Sequence, residues 1–320
     1  MNPKISQLLP LIALVAMLAP LSLFAQKEVS KSFTGIKKIR MTTASGNCEI
    51  KKSADAGVTV DIKYTYNDDD YEPSITQEGD RLVIKEKFHG QSSHGSADWK
   101  LTVPDNLEIQ FTTGSGHVEA AGLALDLTAT TGSGNLIFTN LKGEVNSNTG
   151  SGDVELENVN GTISATSGSG HFRVNKSSGE LTLTSGSGNL RLKDSKAAFR
   201  VTTGSGDVTG ETISIDGSSS FTTGSGDTEV TLAASPKHDL SLTSGSGNAS
   251  LNFNGNEIKG EIVMKASKKH GKINAPFDFD KTEEIDAWKD NITVQKTVVK
   301  GSSTPHILVS TGSGDATLKK

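Results

Sequence analysis

Polar and apolar residues alternate along much of the chain, and the alternation returns in the same phase every 18 residues. Such alternation is typical of β-strands that bury one face, because successive side chains point to opposite sides of a sheet. Reading the chain at this period predicts apolar columns, in which equivalent side chains of successive repeats stack. The columns are Val118, Leu136, Val154, Phe172, Leu190 and Val208; Ala120, Phe138, Leu156, Val174 and Leu192; Leu123, Leu141 and Val159; Ile109, Leu127, Val145, Ile163, Leu181 and Phe199; and Phe111, Ala129, Ser147, Ala165, Leu183 and Val201.

The tripeptide Gly-Ser-Gly marks the period. It occurs nine times, and the first five gaps between successive copies are 18 residues, followed by gaps of 20, 21 and 67. A short fixed period indicates one structural unit stacked on itself rather than an ordinary globular core.

Each repeat contains two short strands and two turns. In one repeat the strands are predicted at residues 153–157 and 162–166, with turns at Asn160-Gly161 and at residues 168–170. Because the chain then starts again one level higher, strands of successive repeats should pair in parallel. The prediction is an all-β fold: a parallel β-solenoid with two short strands per rung of about 18 residues, right-handed by default because crossovers between parallel strands have that hand.

The motif glycines are predicted to be structural turn residues that need positive φ, a conformation that glycine adopts without steric cost. The residue before each motif is Thr or Ser, and its parity places the hydroxyl inward, where it could bond to the turn or to the next rung. The turn glycines are Gly114, Gly116, Gly132, Gly134, Gly150, Gly152, Gly168, Gly170, Gly186, Gly188, Gly204, Gly206, Gly224, Gly226, Gly245 and Gly247.

The period is strict only in the middle of the chain. Residues 106–254 are predicted as the regular solenoid, with irregular rungs at 26–105 and 255–320 that close the two ends against edge pairing. Thr42-Thr43-Ala44-Ser45-Gly46 is a degenerate copy of the motif. An acidic stretch, Asp278 to Asp290, is predicted to form a short helix or an ordered excursion.

Residues 1–25 are typical of an export signal: Lys4 precedes an apolar run from Leu8 to Phe24, and Ala25 is a plausible cleavage point. The alternative is an uncleaved membrane anchor, although Pro10 and Pro20 interrupt the run. No span is expected after cleavage.

Composition excludes only a few classes of function. The chain of 320 residues has 32 Lys and Arg against 37 Asp and Glu, so it lacks the basic footprint of a nucleic-acid-binding protein. Cys48 is the only cysteine, which excludes an internal disulfide and favours a buried, inert thiol.

Neither metal binding nor catalysis is favoured by the pattern, and no cofactor is expected. The residue after each motif is His, Asn or Asp, a mixture that makes a poor calcium cage. The repeated serine lacks the Gly-x-Ser-x-Gly context of a nucleophile elbow. Some β-helices process polysaccharides with clustered charged residues, so that alternative stays open.

The outward face is the more informative candidate, because hydroxyl side chains recur there at the repeat period. It predicts a flat polar surface for contact with a glycan or a protein. An ice-binding plane is a weaker alternative, since Gln110, Asn146 and Arg200 interrupt the array. A sheet with a purely structural role is the remaining alternative, because threonine favours β-strands. The candidate binding face is Thr112, Thr128, Thr130, Thr166, Thr182, Thr184, Thr202, Thr222 and Thr243.

Together, the signal, Phe33-Thr34-Gly35-Ile36, the Val103 to Leu107 step and the repeated Thr-Gly-Ser-Gly-Asp-Val resemble the bacterial "putative adhesin" family of β-strand-repeat proteins. The chain is also similar to the head domain of autotransporter adhesins of that kind. The resemblance covers nearly the whole mature chain and implies an exported β-solenoid without an established catalytic residue. The expected function is a non-enzymatic, adhesin-like or envelope-associated binding module, with a surface glycan or an envelope or host protein as partner; a purely structural or regulatory envelope protein is the alternative.

Overall fold

The computed structural model describes residues 26–89, 94–287 and 291–320. Over these ranges the protein consists of β-strands joined by short turns, without a helix, which confirms the all-β prediction. The predicted signal at residues 1–25 lies outside the described residues.

The strands are numbered in chain order. The first fifteen are β1 Lys27–Phe33, β2 Lys38–Thr43, β3 Asn47–Lys52, β4 Val58–Tyr64, β5 Tyr71–Glu78, β6 Arg81–Phe88, β7 Ala97–Val103, β8 Glu108–Thr113, β9 Val118–Ala121, β10 Asp126–Thr131, β11 Leu136–Thr139, β12 Lys142–Thr149, β13 Val154–Glu157, β14 Asn160–Ser167 and β15 Phe172–Asn175. The remainder are β16 Ser178–Ser185, β17 Leu190–Lys193, β18 Lys196–Thr203, β19 Val208–Ile215, β20 Ser219–Thr223, β21 Thr228–Leu232, β22 Leu240–Ser244, β23 Ala249–Asn252, β24 Gly260–Ser267, β25 Ile273–Asn274, β26 Lys281–Ala287, β27 Asn291–Lys300, β28 His306–Thr311 and β29 Ala316–Lys319.

Strands of the regular region alternate between two sets, and each strand pairs in parallel with the strand one repeat away. Val154 lies opposite Phe172 in one set, and Ile163 lies opposite Leu181 in the other. We call the set containing β2, β8, β10, β12, β14, β16, β18, β20, β22 and β28 the threonine sheet. The set containing β3, β9, β11, β13, β15, β17, β19, β21, β23 and β29 is the charged sheet. A threonine-sheet strand and the charged-sheet strand that follows it form one rung.

The apolar columns form the core between the two sheets. Phe111, Phe138, Phe172, Phe199 and Phe221 are each at most 1% exposed. Their burial follows from strand parity, because inward positions alternate with outward polar ones in every strand. The core columns also contain polar residues: Ser147 is fully buried between Ala129 and Ala165 of the neighbouring rungs, and Thr228 is fully buried opposite Val208.

The motif glycines lie at bends between the two strands of a rung, but none of them has φ in the positive range, so the predicted reason for glycine is wrong. The physical reason is close approach between rungs. A Cβ on Gly170 would lie 1.8 Å from the carbonyl oxygen of Gly152, and one on Gly168 would lie 2.5 Å from that of Gly150. Backbones that approach this closely leave no room for any side chain.

Positive φ occurs instead at the opposite turn of the rung. Asn140 and Asn158 both have φ 53°, and Gly143 and Gly161 have φ 125° and 138°. Asparagine and glycine are the residues that accept this region at least cost.

The inward Thr or Ser before each motif joins consecutive rungs. Ser167 Oγ accepts a hydrogen bond from the Gly170 amide of its own turn at 2.8 Å and donates to the Gly152 carbonyl of the previous rung at 3.1 Å. Thr149 repeats the arrangement with Gly152 and Gly134. These hydroxyls are buried, so the pairing satisfies groups that would otherwise be costly to bury.

At both ends of the stack, the order of the rungs in space departs from their order along the chain. The 67-residue gap closes because β28 and β29 lie directly against β22 and β23, so that Gly312 stacks on Gly245. The earlier β24 and β25 lie beyond them. At the other end, β2 and β3 lie between β8–β9 and β6–β7, which places the degenerate motif at Gly46 against Gly116.

Antiparallel strands flank the parallel stack. Beyond the edge of the charged sheet β7 pairs with β4 and β4 with β1, and beyond the edge of the threonine sheet β6 pairs with β5. At the far end β27 pairs with β24 and β26 with β27. The helix considered for the acidic stretch is therefore wrong over Lys281–Ala287, which is strand β26; residues 288–290 lie outside the described residues.

Replacing Gly170 by Ala should lower the free energy of unfolding by about 1–3 kcal/mol, the range typical of overpacking, because the added methyl meets a backbone carbonyl. The change should appear as a lower midpoint in chemical denaturation. One control is Ser169→Ala, an exposed position where the change in stability should be no more than about 0.5 kcal/mol. The other control is Gly122→Ala, which tests positive φ without close approach, because φ is 73° there and no atom lies within 4 Å of the added Cβ. A larger loss at Gly122 than at Gly170 would contradict the close-approach explanation.

Replacing Ser147 by Ala should stabilise the protein by about 1 kcal/mol, because the buried hydroxyl has no hydrogen-bond partner. The matched variant Ser167→Ala should destabilise by a similar amount, since it leaves the Gly170 amide and the Gly152 carbonyl unpaired. Denaturation midpoints measured side by side test the pair, and shifts of the same sign would refute the assignment.

Candidate binding surface

The nine predicted threonines all lie on the outward side of the threonine sheet, and all are exposed or half-buried. Seven of them occupy one row, in which each residue lies opposite its equivalent in the next rung: Thr112, Thr130, Thr166, Thr184, Thr202, Thr222 and Thr243, interrupted by Asn148. Thr128 and Thr182 belong to a second row, two residues earlier in each strand, with Gln110, Asn146, Ser164, Arg200, Ser220 and Ser241. We call the two files the threonine rows.

The first row is longer than the sequence period indicated. Thr42 lies opposite Thr112 at one end, and Ser310 lies opposite Thr243 at the other. At a strand spacing of about 4.8 Å the row extends on the order of 40 Å, and the two rows are about 6.6 Å apart. Thr42 was detectable from the degenerate motif, whereas Ser310 required the out-of-sequence rung order.

Hydroxyl groups in the threonine rows form no hydrogen bond with any residue that the structure describes. Where Thr243 takes part in a hydrogen bond, its main-chain carbonyl accepts from Thr228, and its side chain is left free. This contrasts with the inward Thr and Ser residues, whose hydroxyls bond to two rungs. The rows therefore present donors and acceptors to solvent on a backbone that neighbouring strands hold on both sides.

A trough of about 550 Å³ runs along the second of the threonine rows between β16 and β28. Its floor is low because Ala198, Ser218, Ser220 and Ser241 are short, while Arg200 stands among them. Glu180 lies at one end. Asp239 lies at the other, and its Oδ1 accepts a hydrogen bond from the His306 amide at 2.9 Å.

Geometry argues against the trough as a hydrolytic site. Glu180 and Asp239 lie three strands apart, about 14 Å at the usual spacing. Glycosidases place their two carboxyl groups about 5–9.5 Å apart. The trough thus combines hydroxyls, a guanidinium and separated carboxylates, a set suited to hydrogen bonding with a polar ligand.

A larger cleft lies on the charged sheet near its N-terminal end, with a volume of about 730 Å³. Glu49 and Glu119 lie opposite one another on β3 and β9 within it. Lys51 forms an ion pair with Glu49, and the Asn47 amide donates to Asp98 Oδ1 at 3.0 Å. Sequence reasoning missed this cleft, because antiparallel β1 and β4 contribute part of its wall.

The column of His, Asn and Asp residues after the motifs has a structural role. Each side chain accepts a hydrogen bond from the main-chain amide of the equivalent residue one rung on: His117 Nδ1 from Asn135 at 2.9 Å, Asn135 Oδ1 from Asp153 at 2.9 Å, and Asp153 Oδ1 from His171 at 2.8 Å. All three residue types share an acceptor two bonds beyond Cβ, which explains why they interchange. We call this file the acceptor ladder.

Two further sequence predictions concern chemistry. Cys48 is 2% exposed, with its Sγ 3.9 Å from Met41 Sδ, and burial raises the pKa of its thiol, so it is protonated at neutral pH. Within the described ranges, no group of three or more His, Cys, Asp or Glu side chains is arranged to hold a metal ion. Nor do those ranges contain a helix long and apolar enough to cross a membrane.

Three solved structures are similar to this chain over more than nine-tenths of its length. They are a putative adhesin from Bacteroides fragilis, 12% identical, with TM-score 0.35 over 91% of this chain and 97% of that one; a putative adhesin from Parabacteroides distasonis, 12% identical, with TM-score 0.28 over 92% and 96%; and a putative cell adhesion protein from Clostridium sporogenes, 12% identical, with TM-score 0.23 over 92% and 99%. At these TM-scores the likeness says nothing of ligand or activity. No curated protein matches the chain.

The family comparison is decisive where the structural likeness is not. One family model matches residues 36–319, a range that includes the regular rungs and nearly all of the irregular regions on either side. The chain therefore belongs to the Toastrack DUF4097 family.

Proposed function

We propose that this protein is an exported, non-enzymatic β-solenoid that presents the threonine rows as a rigid surface for binding a glycan or a protein. In this role it acts as an adhesin-like or envelope-associated module. Export is supported by the signal-like residues 1–25. Binding is supported by hydroxyl groups that recur at the strand spacing and leave their hydrogen-bonding capacity to solvent.

The proposed solenoid is right-handed, with residues 106–254 as its regular part and residues 26–105 and 255–320 as caps. The antiparallel strands at each end support the capping role, because a parallel stack otherwise exposes unpaired strand edges. Apolar side chains at the ends support it as well: Val29, Phe33 and Phe88 at one end and Phe277 and Phe279 at the other pack against the core.

The observation that carries the binding proposal is the regular grid of the threonine rows. Its groups are held by parallel pairing on both sides, so little conformational entropy is lost on binding. A polysaccharide has its own repeating hydroxyls, and a regular grid of donors and acceptors can engage several of them at once, which raises avidity without strong individual contacts. The trough around Arg200 interrupts the flat surface and provides a place where a sugar ring can sit below the level of the rows.

A glycan array probed with the mature protein tests the proposal. A variant carrying Thr182→Val, Thr184→Val and Thr202→Val should lose binding by about tenfold or more, since it removes hydroxyls while keeping side-chain shape and strand propensity. The matched control, Thr209→Val with Thr231→Val, changes threonines on the charged sheet and should bind normally. Equal loss in both variants would remove the threonine rows from the binding site, and a blank array together with a blank surface pull-down would favour a purely structural role.

Polysaccharide cleavage is the second candidate, and the cleft that holds Glu49 and Glu119 is the observation that favours it. The strands that carry Glu49 and Glu119 are about 4.8 Å apart at the usual spacing, close to the 5–5.5 Å that separates the carboxyl groups of retaining glycosidases. Under the binding proposal, incubation with bacterial and plant polysaccharides should release no reducing ends. Product release that disappears in Glu119→Gln, but persists in Glu155→Gln further along the same sheet, would establish the enzyme instead.

A further inference from the structure

A small cleft on the charged sheet is lined by hydrogen-bond donors from two adjacent rungs. It has a volume of about 270 Å³ and is bordered by His171 and Arg173 of one rung and by Asn189 and Arg191 of the next, over the buried ring of Phe172. This cleft lies on the opposite side of the protein from the threonine rows.

The acceptor ladder determines which atoms of His171 and Asn189 face the cleft. His171 Nδ1 accepts from the Asn189 amide at 3.0 Å, so the neutral ring carries its proton on Nε2. Asn189 Oδ1 accepts from the Asp207 amide at 2.9 Å, which leaves its Nδ2 group as the free end. The ladder thus occupies the acceptor of each side chain and leaves a donor on each.

Two guanidinium groups complete the lining. Arg173 and Arg191 lie directly opposite one another on β15 and β17, an arrangement of like charges that destabilises a sheet unless something offsets it. The ion pairs of Arg173 run through Nη1 to Glu155 at 2.6 Å and Asp153 at 3.5 Å, both on the rung away from Arg191. Arg191 forms no ion pair with any residue that the structure describes.

Acidic side chains near the cleft are engaged elsewhere. Asp153 and Glu155 contact Arg173 from its far side, and Glu211 lies 3.8 Å from Lys193. Asp207 Oδ1 accepts from the Asp227 amide at 2.9 Å. None of these carboxylates borders the cleft itself, so its lining offers cationic and neutral donors only.

We propose that this cleft binds one oxyanion, the carboxylate, sulfate or phosphate group of an acidic saccharide. Guanidinium groups bind such anions through paired charge-assisted hydrogen bonds, and the His171 and Asn189 donors supply further contacts. A bound anion also relieves the repulsion between Arg173 and Arg191. The site is independent of the threonine rows, and the glycan-array result with the threonine variants does not bear on it.

The ladder supplies a matched pair of substitutions. Aspartate and asparagine both occupy ladder positions in this chain, as Asp153 and Asn189 show, so His171→Asp and His171→Asn both keep the acceptor that the next rung needs. Asparagine also keeps an outward donor, whereas aspartate places a second carboxylate oxygen at the cleft. Anion binding should therefore persist in His171→Asn and fall by about tenfold or more in His171→Asp.

The experiment is a titration of the mature protein followed by NMR of the Arg Nε–H and His ring resonances. Glucuronate, inorganic sulfate and inorganic phosphate are added separately at constant ionic strength, with chloride as the reference. The expected result is a saturable shift of the Arg191 and His171 resonances in the parent; the His171 shift should be lost in Arg191→Gln, and the Arg191 shift should be lost in His171→Asp. The control Lys196→Gln, whose side chain pairs with Asp216 on the threonine sheet, should titrate like the parent.

Comparison of the three anions identifies the source of the oxyanion. Tighter binding of glucuronate supports a uronate-bearing glycan, and tighter binding of sulfate or phosphate supports an ester-bearing one. Absence of any saturable shift in the folded parent protein would overturn the proposal. An equal loss of binding in His171→Asn and His171→Asp, with both variants folded by circular dichroism, would overturn it as well.

Discussion

Close backbone stacking at the Gly-Ser-Gly bends is the constraint on which the rest of the structure depends. At each bend a glycine carbonyl lies where the Cβ of the next rung's glycine would be, 1.8–2.5 Å from it across the regular part of the stack. Only glycine permits this approach. With it, parallel pairing runs in register from rung to rung, and side chains lie above their equivalents in the rung before, except at the register shift between Gly210 and Ile213 on β19.

Because equivalent residues of successive rungs stack, each position of the repeat forms a column whose members have the same structural role. Inward columns are mostly apolar and fill the core, where phenylalanine, leucine, isoleucine and valine are joined by the smaller Ala129, Ser147 and Ala165. The corner column of Thr and Ser joins consecutive bends through buried hydroxyls, and the acceptor ladder joins them again from the outside. Two hydrogen-bonded files beside each bend hold the glycine stack in register, which a hydrophobic core alone does not specify.

Outward columns present the side chains that are available for the proposed binding. On the threonine sheet they form a grid of hydroxyl groups, interrupted by the trough around Arg200. On the charged sheet the same alignment brings like charges together, Glu49 with Glu119 and Arg173 with Arg191. Under the proposed function, recognition rests on repetition across rungs and on the clefts that neighbouring rungs form together.

The amino-acid sequence by itself determined the all-β class, the 18-residue period, the inward columns and the outward position of all nine threonines, because strand parity and a fixed period require no knowledge of distant contacts. It did not determine why the motif residues are glycine, because both positive φ and close approach of the backbones select that residue. The short distance from a Cβ on Gly170 to the Gly152 carbonyl oxygen identifies close approach as the reason. Tertiary structure alone placed β28 and β29 inside β24 and β25, since rung order at the ends depends on pairing between segments far apart in sequence. The donor-lined cleft beside Arg191 was likewise invisible in the sequence, because it arises only when one rung lies on the next and the ladder orients His171 and Asn189.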